Sequence, residues 1–473
     1  MPRLIVMRMF AGAVALGLLT SCGGGGSGTT PLTVTAASPP AGTTGAAFPG
    51  YSFQASGGTP PFSWNESGPM PPGLMLSASG QLSGMPATAG TYPLSVTVTD
   101  SSYPPVTATA AVTLTVNGLS FTVLSASMTA PRSGHTATLL ASGKVLIAGG
   151  ANGAADASAE LYDPATGAFT ATGPMTEARI GHTATLLNDS ARSVLIVGSV
   201  DMTAELYNPA TGTFTATGSM HHDRTSPTAT LLSSTGPNAG KVLIVGGNTT
   251  SGDLVAELYD PGTGTFTDTS STTTLRTGHT ATLLTTSSLA GQVLIAGGNP
   301  GGNASASAEL YNPATGMFTT TGDMTVARAG HTATALGTQD GAQNGDVLIV
   351  GTDGSADLYD PSKGTFTRIG SLLPSMQRRT AHTANLRSDG TVLAAGGYDL
   401  EGSRGLFCPV SGTAAALFAP ESDGFTATGS LGTRRDSHTA TVLADGTVLI
   451  VGGTEHRGCF TGAVVLSSAE LFK

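Results

Sequence analysis

One phrase recurs along this chain and limits what it can fold into. GHTATLL stands at residues 134–140, 181–187 and 278–284, and the unit around it occurs seven times after residue 118. Each unit opens on an arginine (Arg132, Arg179, Arg224, Arg276, Arg328, Arg379, Arg435), about 50 residues after the last. A histidine such as His135 follows three residues later, then an apolar run ending in paired glycines, as in Gly149-Gly150. Glu160-Leu161-Tyr162 and a Gly-x-Phe-Thr turn and strand complete the first copy. A repeat of this length is one supersecondary element that buries its apolar faces only against its neighbours.

The runs within a unit are too short for helices and have the Val, Ile, Thr and Tyr content of strands. The first copy predicts strands A (135–140), B (144–148), C (159–162) and D (168–171). Strand B is apolar throughout, as suits a strand buried on both faces. Ser142-Gly143, Asp389-Gly390 and Asp445-Gly446 supply tight A–B hairpins.

Composition removes one class of partner. The net charge is -10 with only four lysines, so no basic surface is available for nucleic-acid phosphates, and nucleic acid is excluded. At the amino end, Arg3 and Arg8 precede an apolar run at 9–19, too short for a comfortable membrane span. Leu19-Thr20-Ser21-Cys22 then resembles a bacterial lipobox. That resemblance implies a signal peptide at 1–22, lipidation of Cys22, and an extracytoplasmic, lipid-anchored protein on the outer membrane or cell surface. Residues 23–30 read as a Gly-rich flexible tether. In an oxidising compartment the two remaining cysteines, Cys408 and Cys459, are expected to form a disulfide.

Residues 31–117 read as short strands and turns, with alternation at 51–55 and 94–99. Ser56-Gly57-Gly58, Pro61-Phe62-Ser63-Trp64, Pro72-Gly73-Leu74 and Gly80-Gln81-Leu82-Ser83-Gly84 together resemble the Ig-like, cadherin-like modules of bacterial surface proteins. The resemblance implies a β-sandwich with Trp64 in its core. Asp100 stands almost alone, which argues against a cadherin-type calcium site.

The array at 118–473 resembles the kelch repeat, as in the central domain of galactose oxidase. The resemblance implies an all-β, seven-bladed β-propeller with four strands per blade. Phe169 and its equivalents stand where tryptophan is commoner in the family. The seventh unit ends without a strand D, and Phe121-Thr122 resembles the missing strand, which predicts closure of the ring by residues from both ends of the array.

Six of the seven units carry the histidine, while the third has Pro227. Ring spacing is too wide for a single metal ion, so neutral imidazoles bonded at blade junctions are expected. The arginines co-occur with strand C acids, Glu160 and its equivalents, with Ala416 as the one gap. Ion pairing is therefore expected, within a blade or between neighbours. The copper-radical site of galactose oxidase needs two tyrosines, two histidines and a Tyr–Cys cross-link. Here all propeller tyrosines but Tyr398 sit at the repeat position of Tyr162, so that site is not assembled in the family's way. His221-His222-Asp223 is the one histidine pair off the repeat; strand alternation would send the two rings to opposite faces, so it reads as a solvated loop rather than a metal site. No catalytic residue, metal or other cofactor is expected.

The copies disagree most in two long B–C loops, 398–413 and 454–467. These carry Tyr398, Glu401, Arg404, Phe407, Glu455, His456, Arg457 and Phe460, the aromatic and charged side chains that binding surfaces use. The expectation is a monomeric, membrane-anchored, non-enzymatic binding or adhesion protein that recognises a glycan or protein through these loops. A carbohydrate-active enzyme of oxidase or epimerase type and a purely structural envelope protein are the alternatives.

Overall fold

A computed structural model describes residues 30–473 apart from 36–38, 45–47, 200, 300, 338–344, 377, 404, 405 and 460, with backbone alone at 401–403, 406 and 407. The signal segment with Cys22 and nearly all of the tether lie outside the described residues, as do Arg404 and Phe460. The chain divides into two units at Asn117/Gly118. Among the described residues the structure is all strand and turn, except for one 3-10 turn at Pro374–Met376.

The first unit pairs long antiparallel strands Gly90–Thr99 and Thr107–Asn117, flanked by Ser63–Ser67 and Gly42–Thr43. A three-stranded sheet (Tyr51–Ser52, Gln81–Gly84, Leu74–Leu76) and a small pair (Thr33–Thr35 with Gln54–Ser56) complete it. Alternate residues of the long strands, Leu94, Val96, Val98, Val112 and Leu114, point into one core with Phe53 and Trp64. Trp64 is 8% exposed, in keeping with a core role. Asp100 accepts hydrogen bonds from Ser102 Oγ and from the backbone N–H groups of Val106, Thr59 and Ser102, which hold it at about 2. Its carboxylate is spent on fixing loops.

Among the described residues the second unit is built on seven four-stranded antiparallel sheets, with three two-stranded pairs in its loops. The first contains Thr136–Leu139, Val145–Ala148, Ala159–Asp163 and Ala168–Ala171, in the order A, B, C, D. In the seventh, Thr439–Val442, Val448–Val451 and Ala469–Phe472 supply A, B and C, and Phe121–Val123 supplies D, with Phe121 opposite Phe472. Each strand A touches the A strands of the two neighbouring sheets, so the seven form a closed cycle.

Strand B is apolar throughout because both faces are covered. Leu146 and Ala148 pack with Val194, Ile196 and Tyr207 of the second sheet, while Val145 and Ile147 pack with Leu449 and Val451 of the seventh. The unit thus has its core distributed between sheets. The paired glycines end strand B where it crosses the next repeat. Gly149 has φ +64°, and a Cβ there would sit 2.7 Å from Arg179 O. Gly150 N donates to that same carbonyl at 2.9 Å. Only glycine brings the chain this close in a left-handed conformation.

Candidate functional site

The repeated polar residues line the junctions between sheets. Arg132 is fully buried; it donates to Gly149 O (2.8 Å), Ser158 O (3.0 Å) and Ser158 Oγ (2.8 Å), and pairs with Glu160 Oε1 at 3.1 Å. Glu160 also accepts from the backbone N–H of Thr129 at 2.8 Å. Equivalent pairs join Arg179 to Glu205, Arg224 to Glu257, Arg276 to Glu309, Arg328 to Asp357 and Arg435 to Glu470. Every one of these pairs lies within a single sheet. In the sixth sheet Ala416 takes the acid's place, and Arg379 donates to the carbonyls of Ser375, Gly397 and Val410. Guanidinium groups committed in this way do not form an anion-attracting ring.

The histidines cross the junctions. His182 Nε2 meets Thr136 Oγ1 of the preceding sheet at 3.0 Å, and His135 Nε2 meets Thr439 Oγ1 of the seventh at 2.9 Å. The same bond recurs at His279, His331, His382 and His438. Backbone contacts are the second part of the arrangement: the Nδ1 atoms of His279 and His382 lie 3.1 and 2.8 Å from the carbonyls of Arg276 and Arg379. Burial, reinforced by the arginine three residues earlier, pushes His135 down to about 3 and His182 to about 4. The imidazoles are thus neutral. Where Pro227 replaces the histidine, Thr183 Oγ1 of the preceding sheet is buried with no hydrogen-bond partner. Tyr207 hydroxyl meets Thr172 Oγ1 of the preceding sheet at 3.0 Å, while Tyr162 packs against Phe169 within its own sheet, with ring centroids 4.9 Å apart.

The two long loops come together. The sixth sheet's loop is a hairpin, Tyr398–Ser403 with Leu406–Ser411, and the seventh's pairs Thr454–Glu455 with Val464–Val465. Val410 bridges Arg457, Ser411 N donates to His456 O at 2.9 Å, and a disulfide joins Cys408 to Cys459 with Cα atoms 4.9 Å apart. At the seam, buried Asp436 accepts from Ser411 Oγ (2.6 Å) and from His456 Nδ1 (2.8 Å). The His456 ring stands 5.9 Å from that of Tyr398, and its side chain is 26% exposed. Glu455 and Arg457 form a two-pronged pair, 2.9 Å at each contact, which holds Glu455 below the usual carboxylate range and raises Arg457.

Chemically, this seam offers an oriented imidazole with a buried carboxylate on Nδ1, an aromatic ring beside it and a rigid charged pair. Ser411 donates to the carboxylate and accepts from His456 N at 2.8 Å, so serine and imidazole do not form a nucleophile–base pair. Glu401 and Phe407 lie in the hairpin strands, opposite Cys408 and Gly402, and their side chains are outside the described residues. Asp436 and Ser411 were not singled out from sequence. Asp436 directly follows the repeat arginine, where Ser133 and Thr225 stand in other copies, and that departure was the readable signal.

Residues 28–117 match the family model described as Putative Ig domain, and the first unit is an Ig-like domain. A search of curated proteins finds no match. Among solved structures, the fold is similar to "Novel fungal alcohol oxidase with catalytic diversity among the AA5 family, in complex with copper". That likeness has a TM-score of 0.54 at 16% identity and covers 72% of this chain and 74% of the other. At this identity it bears on the fold alone: an all-β, propeller-like architecture beside an Ig-like domain.

Proposed function

We propose that this chain is a lipid-anchored envelope protein that binds a glycan or protein through the joined loops of the sixth and seventh sheets, presented on a seven-bladed kelch-type propeller. The observation that carries this reading is the seam itself. The two longest loops of the array are tied by a disulfide, backbone hydrogen bonds and the Asp436–Ser411–His456 network, and they hold Tyr398 and Arg457 on a rigid base. Aromatic and arginine side chains held in place in advance bind at low entropic cost. Seven four-stranded sheets in a cycle support the propeller reading. The lipid anchor rests on the lipobox resemblance at Cys22.

The similarity to a copper-bound alcohol oxidase makes oxidation the second reading. The described residues fit a copper-radical centre poorly. The hydroxyls of Tyr207, Tyr259, Tyr311 and Tyr359 are engaged by threonines at sheet junctions, and Cys408 and Cys459 are joined to each other.

The full chain in detergent, screened on glycan and surface-protein arrays, should show a ligand whose capture falls on Tyr398→Ala and Arg457→Ala. Equal capture by all versions removes the loop assignment. Peroxide release from alcohols by the copper-loaded chain would favour the oxidase. Incorporation of labelled palmitate that is lost in Cys22→Ala tests the anchor.

A further inference from the structure

We propose that the third sheet carries a site for a divalent transition metal ion of the zinc type, held by His221, His222 and Asp268. The two histidines lie in a bend between strand D of the second sheet (Thr213–Ala216) and strand A of the third (Thr228–Leu231). The alternation that sends neighbouring strand residues to opposite faces therefore does not apply to them. His221 Nδ1 is 2.7 Å from Asp268 Oδ1, and His222 Nε2 is 3.7 Å from the same oxygen.

The decisive atom is His222 Nε2. Asp253 Oδ2 lies 2.9 Å from His222 Nδ1, and Ser251 Oγ also donates to that carboxylate oxygen. A neutral imidazole that gives its Nδ1 proton to a carboxylate presents Nε2 as a bare lone pair. In that neutral form Nε2, buried without a hydrogen-bond partner, faces Asp268 Oδ1 acceptor against acceptor. A cation between them resolves the conflict and completes the carboxylate–histidine–metal arrangement that orients ligands at metal sites. His221, Asp268 and Glu257 offer ligand atoms that all lie within 4.8 Å of one another, and His222 Nε2 reaches this group at Asp268 Oδ1, 3.7 Å away. Glu257 is already committed, to Arg224 Nε at 3.1 Å and to His221 N at 2.6 Å, so it anchors the first ligand's backbone and adds negative charge.

The third repeat departs from its siblings at each of these positions. Thr129, Thr176, Thr273 and Thr325 stand where His221 does, and Ala171, Ala216 and Thr320 stand where Asp268 faces strand C. Val255 replaces the hydroxyl that in the first repeat, as Ser158, occupies Asp156. Without it, Asp253 is released to His222. The register of strands C and D shifts between Val255 and Glu257, a bulge beside the site that the fifth sheet shares between Ala356 and Asp357. Two imidazole nitrogens and one carboxylate select a zinc-type ion over calcium or magnesium, and three protein ligands leave a position for water.

The test uses the untagged full chain in detergent, stripped with a chelator and titrated with zinc chloride, with metal counted by mass spectrometry. The wild type should bind one zinc ion. Asp268→Asn and His222→Ala should each weaken binding by at least about tenfold. Glu177→Gln, an exposed change at the matching stretch of the second sheet, should leave binding unaltered. Asp268 is half exposed and asparagine nearly isosteric, so this variant should keep the metal-free melting temperature of the wild type; His221→Gln, equally exposed, is a second folded ligand variant that should also weaken binding. No zinc uptake by the wild type, as expected of a plain imidazolium–carboxylate bridge, overturns the proposal. Uptake that survives the substitutions overturns it as well, and equal competition by calcium overturns the nitrogen-ligand assignment.

Discussion

The junction between the second and third sheets differs from the other six in one bond. Elsewhere a buried histidine reaches back to the preceding sheet's threonine; here Pro227 stands in its place and Thr183 Oγ1 has no hydrogen-bond partner. Yet strand A of the second sheet still contacts that of the third, and both B strands remain fully buried. Apolar packing between sheets therefore holds the ring, and the histidine bonds are a repeated supplement. The joined loops of the sixth and seventh sheets stand at the other extreme, because their contacts fix side chains at an edge and leave the packing between sheets alone.

The contrast is sharpest under acid, where the largest effect is expected. The six histidines have folded values depressed below 6.5, to between about 3 and 4 where the shift is sized. A depressed base binds fewer protons when folded, so its stabilisation is complete above pH 6.5 and is lost as pH falls toward the folded value. Each histidine should cost about 1.4 kcal/mol per pH unit in that window. The melting temperature of the second unit should fall steeply between pH 6.5 and 4, and a flat profile would contradict neutral buried imidazoles.

Arg276→Met should be the most damaging single change, because it leaves Glu309 charged and fully buried. About 3–5 kcal/mol is expected from denaturant unfolding. Smaller and more telling is a threonine pair. Thr136→Val removes the acceptor or donor for His182 and should cost about 1–2 kcal/mol, whereas Thr183→Val removes a hydroxyl with no partner and should be neutral or stabilising. Equal losses at both sites would erase the distinction between junctions. At the loop seam, Tyr398→Ala and Arg457→Ala should lower the unfolding free energy by about 1 kcal/mol or less while reducing ligand capture.

Much of this was legible in the sequence because repetition makes positions comparable. Strands A to D fall within a residue or two of their expected bounds, and the arginine–acid pairing followed from co-occurrence with its gap at Ala416. The histidine's partner was not legible. Thr136 and His182 are 46 residues apart, and nothing local says that one sheet leans on the next by that distance. The metal candidate was hidden for a related reason: His221 and Asp268 are 47 residues apart, and the bend at 221–222 sets aside the strand alternation that would have separated the two histidines.

By itself the sequence determined the strands, the seven copies and the places where the copies part company, since period, apolar runs and glycine positions are local properties of a chain. Only the tertiary structure decided which departures meet. Ser411, Asp436 and His456 converge at one seam, and His221, His222 and Asp268 at one corner, because a closed ring of sheets brings together side chains from different turns of the repeat.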